Sequence, residues 1–188
     1  MSAARPPELD VAELSPDQQK IYDDIMKGPR GVVEGPLRVW LQSPGLADRA
    51  QALGAFCRYG TALPERLSEL AILVTGAYWQ SGFEWAVHAP IARKAGLTEQ
   101  QIEDIRTGGT PSFEDSEARI VHAVAYSLHH EKRIGNELYE EAVEALGTVA
   151  LVDLIGILGY YTLISMTINA FDVPVPTGQS EPFEADRT

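Results

Sequence analysis

Residues Pro64 to Gly96, PERLSELAILVTGAYWQSGFEWAVHAPIARKAG, decide the fold. The stretch reads as two helices meeting at Gln80 and Ser81, because Pro64 suits a first helical turn, Ser81 can cap a new helix and Gly96 can end it. Leu67, Leu70, Ala71 and Val74 fall at helical spacing along the first helix. The second is apolar nearly all round, with Phe83, Trp85, Ala86, Val87, Ile91 and Ala92. Both helices are therefore expected to be buried. Into that apolar surface the sequence places Glu69, Glu84 and His88, side chains that are costly to bury without partners. Ser81, Glu84 and His88 share one face of the second helix at i, i+3 and i+7, and antiparallel packing would bring Glu69 across to it.

The remainder of the chain punctuates as further helices. Ser15-Pro16-Asp17-Gln18 opens one with a capping box, and it should stop at Gly28-Pro29. A Gly/Pro-rich segment, GPRGVVEGPLRVWLQSPG, leads to a helix from about Pro44 to Arg58, with Leu46, Leu53 and Phe56 expected to face inward. Leu97-Thr98-Glu99-Gln100-Gln101 is a second capping box, opening a short helix that ends at Gly108-Gly109. A helix from about Glu114 to Lys132 follows, with Ala118, Val121, Ala125 and Leu128 as its stripe. Asn136 is expected to cap a helix that Gly147 ends, and a long apolar helix then runs to Phe171. No stretch alternates with period two, so the fold class is all-α. The domain plan is an N-terminal arm over residues 1–13, expected to be disordered, one helical domain over 14–176, and a polar tail over 177–188.

Composition narrows the function. With 188 residues and a formal net charge of -12, nucleic acid and anionic membrane surfaces are excluded as expected partners, since both need clustered Lys and Arg. The apolar stretch Thr148 to Phe171 imitates a membrane span, but Asp153 interrupts it and its flanks lack Lys and Arg. A core or intersubunit helix fits better. One cysteine, Cys57, allows no internal disulfide and no CxxC motif, and the N-terminus carries no apolar leader, so a cytoplasmic location is expected.

Several fragments in fixed order resemble the carboxymuconolactone decarboxylase family, the all-α superfamily that includes alkyl hydroperoxidase D-like (AhpD-like) proteins. They are RLSELAIL (Arg66 to Leu73), Glu84-Trp85-Ala86-Val87-His88, Ala95-Gly96-Leu97-Thr98 and the closing GYYTLISMTINAFDVPVP, and they span about Ser15 to Pro176. The resemblance implies a helical protomer assembled as a homo-oligomer, commonly a trimer or hexamer, that works without a cofactor. It also implies a departure. Where the peroxidase branch carries CxxC followed by His, with a Glu upstream, this chain reads Ser81, Glu84, His88 and Glu69. Peroxide reduction needs a reactive thiolate and a resolving thiol, and Ser81 supplies neither. The surviving acids and base point to proton transfer.

The chemistry expected is that of a decarboxylase-type lyase acting on a small carboxylated lactone or related aromatic-catabolism acid. His88 is the proton donor, Glu69 orients it or relays the proton, and Glu84 is its hydrogen-bonding partner in the pocket. Ser81, Arg66, Arg93, Trp85 and Tyr161 are the candidate substrate-binding residues, the arginines because a negative chain would otherwise repel an acid. Two readings of Ser81 and Glu84 stay open: a capping box at the helix start, or site residues. Pro90 cannot donate to the Ala86 carbonyl, so the helix is expected to loosen beside His88. His122, His129 and His130 are read as solvated histidines rather than metal ligands, since no His-x3-His pair or cysteine cluster supports a metal. The alternatives are a non-catalytic helical oligomer that binds a small acid or a partner protein, and a residual peroxidase using Cys57.

Overall fold

The structure, a computed structural model, describes residues 5–7 and 9–183. Of the expected N-terminal arm and polar tail, residues 1–4, 8 and 184–188 lie outside the described residues. After a short 3-10 turn at Val11–Glu13 the elements are α1 (Pro16–Lys27), α2 (Pro36–Trp40), α3 (Pro44–Tyr59), α4 (Glu65–Tyr78), α5 (Gly82–Lys94), α6 (Glu99–Arg106), α7 (Ser116–His130) and α8 (Asn136–Phe171). Among the described residues there is no strand, and the fold is all-α.

Both expected capping boxes form. Ser15 Oγ accepts from the Gln18 N–H while Gln18 Oε1 accepts from the Ser15 N–H, and Thr98 and Gln101 do the same at the start of α6. The short helix α2 was not foreseen, because Gly and Pro hide it. Pro36 starts it, and the Trp40 indole anchors it by donating to Thr167 Oγ1 at 3.0 Å.

α4 is the centre of the molecule. It packs against α5, α6, α7 and α8, and every residue from Leu67 to Gly76 is buried. The turn into α5 is a Schellman motif in which the Ser81 N–H reaches the Gly76 carbonyl and the Gln80 N–H reaches Ala77. Gln80 holds the left-handed position, φ 48°, that glycine more often fills. This tight reversal lays α5 back along α4. Gly96, at φ 110°, ends α5 in the same way.

Two helices differ from expectation. In α3, Leu46, Leu53 and Phe56 are exposed, and the buried side is Ala47, Ala50, Gly54 and Cys57. The reason is close packing: α3 lies against α8 so tightly that a methyl on Gly54 would overlap the Tyr160 hydroxyl, so only small residues face inward. In α8 the N-cap is Gly135, with Asn136 the first helical residue. Gly147 leaves helical geometry, φ 79° and ψ 158°, where the end of one helix was expected, and the chain kinks there before continuing to Phe171.

α8 is long and apolar enough to cross a membrane by length and composition alone. Its inner side, however, is a core face: Leu154, Ile157, Tyr160, Tyr161, Ile164 and Ile168 are buried against α2, α3, α4, α5 and α7. Asp153 accepts the Ala62 N–H at 2.8 Å, tying the kinked helix to the α3–α4 loop. Past Pro176 the chain turns back over α5, where Phe183 is buried edge-on against Trp85 at 5.4 Å.

Candidate active site

The three ionisable residues singled out on α4 and α5 meet. His88 Nδ1 lies 2.8 Å from Glu69 Oε2 across the helix pair, and His88 Nε2 lies 2.9 Å from Glu84 Oε1 one turn back along α5. Glu69, Glu84 and His88 expose only 2, 4 and 4 % of their surface, so neither carboxylate is solvated and each relies on the imidazole. Burial alone would lower the His88 pKa. The opposing pull of Glu84 and Glu69 is larger, and the result is raised to about 9. At neutral pH the ring is an imidazolium clasped between two acids.

Of the two readings of Ser81 and Glu84, the cap is absent, and Ser81 does not line the cavity described below. No capping box forms, because the Glu84 carboxylate is directed to His88 and Ser81 makes no side-chain cap. Ser81 is fully buried with its Oγ unpartnered. Tyr161 on α8 packs edge-on against the His88 ring at 5.2 Å, and its buried hydroxyl has no hydrogen-bond partner. Burial, reinforced by Glu84 and Glu69, pushes the phenol well above its ordinary range, so it keeps its proton. Pro90 sits inside α5, two residues past His88, as expected.

A small cavity of about 60 Å³ opens onto this cluster, lined by Glu84, His88, Tyr161 and Phe83 together with Arg30 and Arg58. Glu69 lies behind His88 and is not part of the wall. A larger cavity of about 500 Å³ sits beside it, and Phe83 and Glu34 line both. The other expected ligand residues lie elsewhere. Arg66 is ion-paired with Asp115 at 2.8 Å, Arg93 is bound to Glu99 on the surface, and Trp85 is covered by Phe183. None of the three lines the small cavity.

Sequence reasoning missed Arg30 and Arg58. Arg30 follows α1 and Arg58 ends α3, and no periodicity connects them to each other or to α5. The one available signal was that cations are outnumbered on this acidic chain, 15 Lys and Arg against 27 Asp and Glu. His129 also departs from expectation: it is buried, not solvated, and its Nε2 pairs with Thr75 Oγ1 at 2.9 Å. Burial, with His130 and Lys132 adding to it, lowers its pKa to about 4. Among the described residues no group of three His, Cys, Asp or Glu is arranged to hold a metal ion. Cys57 is fully buried, and burial, followed by the charge of Asp153, pushes its thiol up to about 11.

An all-α frame with a buried acid–imidazole–acid centre on its central helix pair has the AhpD-like fold. Residues 44–126, which carry that centre, match the model of the Carboxymuconolactone decarboxylase family. The fold is shared with a peroxidase-related protein from Silicibacter sp. TM1040, at TM-score 0.74 and 16% identity over 95% of this chain and 98% of that one. It is shared with the alkylhydroperoxidase AhpD core of a peroxidase-related protein from Ralstonia eutropha JMP134, at 0.76 and 13% over 94% of each. It is shared also with the debrominase Bmp8 in complex with 2,3,4-tribromopyrrole, at 0.72 and 12% over 94% of this chain and 93% of that one. At these identities the likeness is one of fold. Among curated proteins none matches the chain.

Proposed function

We propose that this protein is a decarboxylase-type lyase that needs no cofactor and acts on a small carboxylated lactone or a related acid of aromatic catabolism. The observation that carries the proposal is the His88 ring held between the Glu69 and Glu84 carboxylates at the wall of a cavity. The bond from the substrate carbon to its carboxylate breaks, carbon dioxide leaves, and the electron pair stays on that carbon, delocalised onto a conjugated carbonyl oxygen. The Tyr161 hydroxyl, a neutral donor with no other partner, stabilises that oxygen. The proton held by His88 then forms the new C–H bond, with Glu84 carrying it to the cavity. Glu69 fixes the ring and compensates its charge. Solvent restores the proton.

Carbon dioxide release from carboxylated lactones, measured with wild type and with His88→Gln, tests this. Removing a positioned acid costs about 10²- to 10⁴-fold in rate. A folded His88→Gln protein with undiminished turnover ends the proposal.

A second reading has its own observation: both His88 ring nitrogens are already engaged, so the cluster could simply stitch α4 to α5 in an acid-binding oligomer. Thermal stabilisation by lactone acids without turnover would favour it. A peroxidase using Cys57 has little support, because a buried thiol with a raised pKa is a poor nucleophile.

The same proposal includes self-assembly and a cytoplasmic location. Val149, Val152, Gly156, Gly159, Leu163 and Met166 follow a three-four spacing on the outer side of α8, and the valines are 69 and 63 % exposed. A second copy of this chain is the occupant that such a repeating stripe fits, with Gly156 and Gly159 admitting close helix approach.

A further inference from the structure

We infer that the ligand of this site is an acid with an apolar body: its acid end enters the small cavity beside His88, and an aryl or alkyl body fills the larger cavity next to it. The inference rests on reading the small cavity as the place where a substrate meets His88. At about 60 Å³ that cavity has room for about two water molecules, taking about 30 Å³ for each, and a lactone ring with its carboxylate is several times larger. A molecule that reaches His88 must therefore extend beyond it. The neighbouring space is the cavity of about 500 Å³, which is in the range of small-molecule sites, and Phe83 and Glu34 are walls of both.

The walls of the larger cavity say what that body is. Tyr22, Val39, Leu41, Phe83, Val173 and Val175 line it and are buried or half-buried, whereas its charged residues, Arg5, Glu34, Arg38 and Asp172, are exposed. An apolar group placed there leaves water against apolar walls, while the charges stay solvated at the rim. A second polar end would lose its hydration to those walls and gain little. Phe83 is the corner between the two spaces. It lies in the first turn of α5, one residue before Glu84, and is 8 % exposed. The loop that leads into α2 runs so close to its ring that a Cβ on Gly35 would lie 2.4 Å from it, and Gly35, at φ 55°, holds a conformation that suits glycine. The Phe83 ring, set against that backbone, decides how wide a body can pass from one cavity to the other.

The test is equilibrium binding by calorimetry of the full chain with 4-phenylbutyrate, compared with butyrate, which has the same acid end and no ring. Wild type should bind 4-phenylbutyrate about tenfold or more tightly than butyrate, the gain expected from burying a phenyl group. Val39→Trp and Val173→Trp, which fill the larger cavity from two different segments, should each remove most of that gain and leave butyrate binding unchanged. Circular dichroism checks folding, and either variant suffices if the other unfolds. The His88 ring signals in nitrogen NMR should shift when 4-phenylbutyrate binds. Binding no tighter than that of butyrate overturns the inference, as does binding that neither tryptophan variant weakens or that leaves His88 unmoved. Ring-dependent binding that moves His88, without turnover of any acid, keeps the two-cavity site and removes the lyase reading.

Discussion

Glu69 and His88 lie on different helices, and their side chains meet at 2.8 Å with almost no contact with solvent. This one pairing couples the fold to the chemistry, because it bridges the central helix α4 to α5 and sets the charge of the imidazole. Removing one member of a buried charged pair strands the other. Glu69→Ala should therefore lower unfolding free energy by about 3–5 kcal/mol in urea melts. Glu69→Gln, which keeps a hydrogen-bonding group there, should cost less and leave His88 easier to deprotonate. Equal stability of wild type and Glu69→Ala would mean that the pair contributes nothing.

Stability should peak near neutral pH and fall on both sides, for two separate reasons. His88 has a folded pKa of about 9, above its reference of about 6.5, so its contribution is complete below the reference value and is lost as pH rises toward 9. His129 has a folded pKa of about 4, so its contribution is complete above the reference value and is lost as pH falls toward 4. His122, also lowered by burial, acts in the same direction. Thermal melts across pH 4 to 10 should show the two limbs, with His88→Gln flattening the alkaline one and His129→Gln the acid one. A profile that neither variant alters contradicts this assignment.

Cys57 should react with a thiol-specific reagent far more slowly in the native protein than in urea, because it is fully buried with its pKa pushed to about 11. Labelling it after partial unfolding and refolding should leave any lyase activity limited only by the refolded fraction. Rapid native labelling would place the thiol elsewhere than in the core.

Gly54→Ala should destabilise the protein by about 1–3 kcal/mol, since the new methyl would overlap the Tyr160 hydroxyl and the Arg30 guanidinium where α3 meets α8. Chemical denaturation checks it. An unchanged midpoint would show that the two helices are not in close contact.

Val152→Glu on the outer stripe of α8 should convert an oligomer to monomers in light scattering after gel filtration, at little cost to monomer folding, since Val152 is 63 % exposed. If wild type is already monomeric, the stripe has another purpose.

How much of this was legible in the sequence depended on whether the signal was local. The α4–α5 pair, its glycine stop at Gly96 and its three charged residues lie within one 33-residue stretch, where helical periodicity places Glu84 and His88 on one face and a tight turn brings Glu69 to them. Arg30 and Arg58 reach the same cavity from the end of α1 and the end of α3, and no spacing rule joins residues so placed. The inner face of α3 was misread because Leu46, Leu53 and Phe56 are apolar and point outward, while the close contact with α8 needs Ala47, Ala50 and Gly54. Periodicity shows that a helix has an apolar face but does not say whether that face meets the core or another molecule. Ser81-x-x-Glu84 fits a cap and a site equally well in sequence, and no cap forms because the imidazole of His88 is the partner of Glu84.

The charge on His88 is the most direct test. Nitrogen NMR of protein labelled at histidine, followed from pH 6 to pH 10, should show one ring that remains doubly protonated through neutrality and titrates near 9, and that signal should vanish in His88→Gln. A His88 ring that is neutral at pH 7 and titrates at or below its reference value would contradict the account, because no proton would then be stored between Glu69 and Glu84 for transfer.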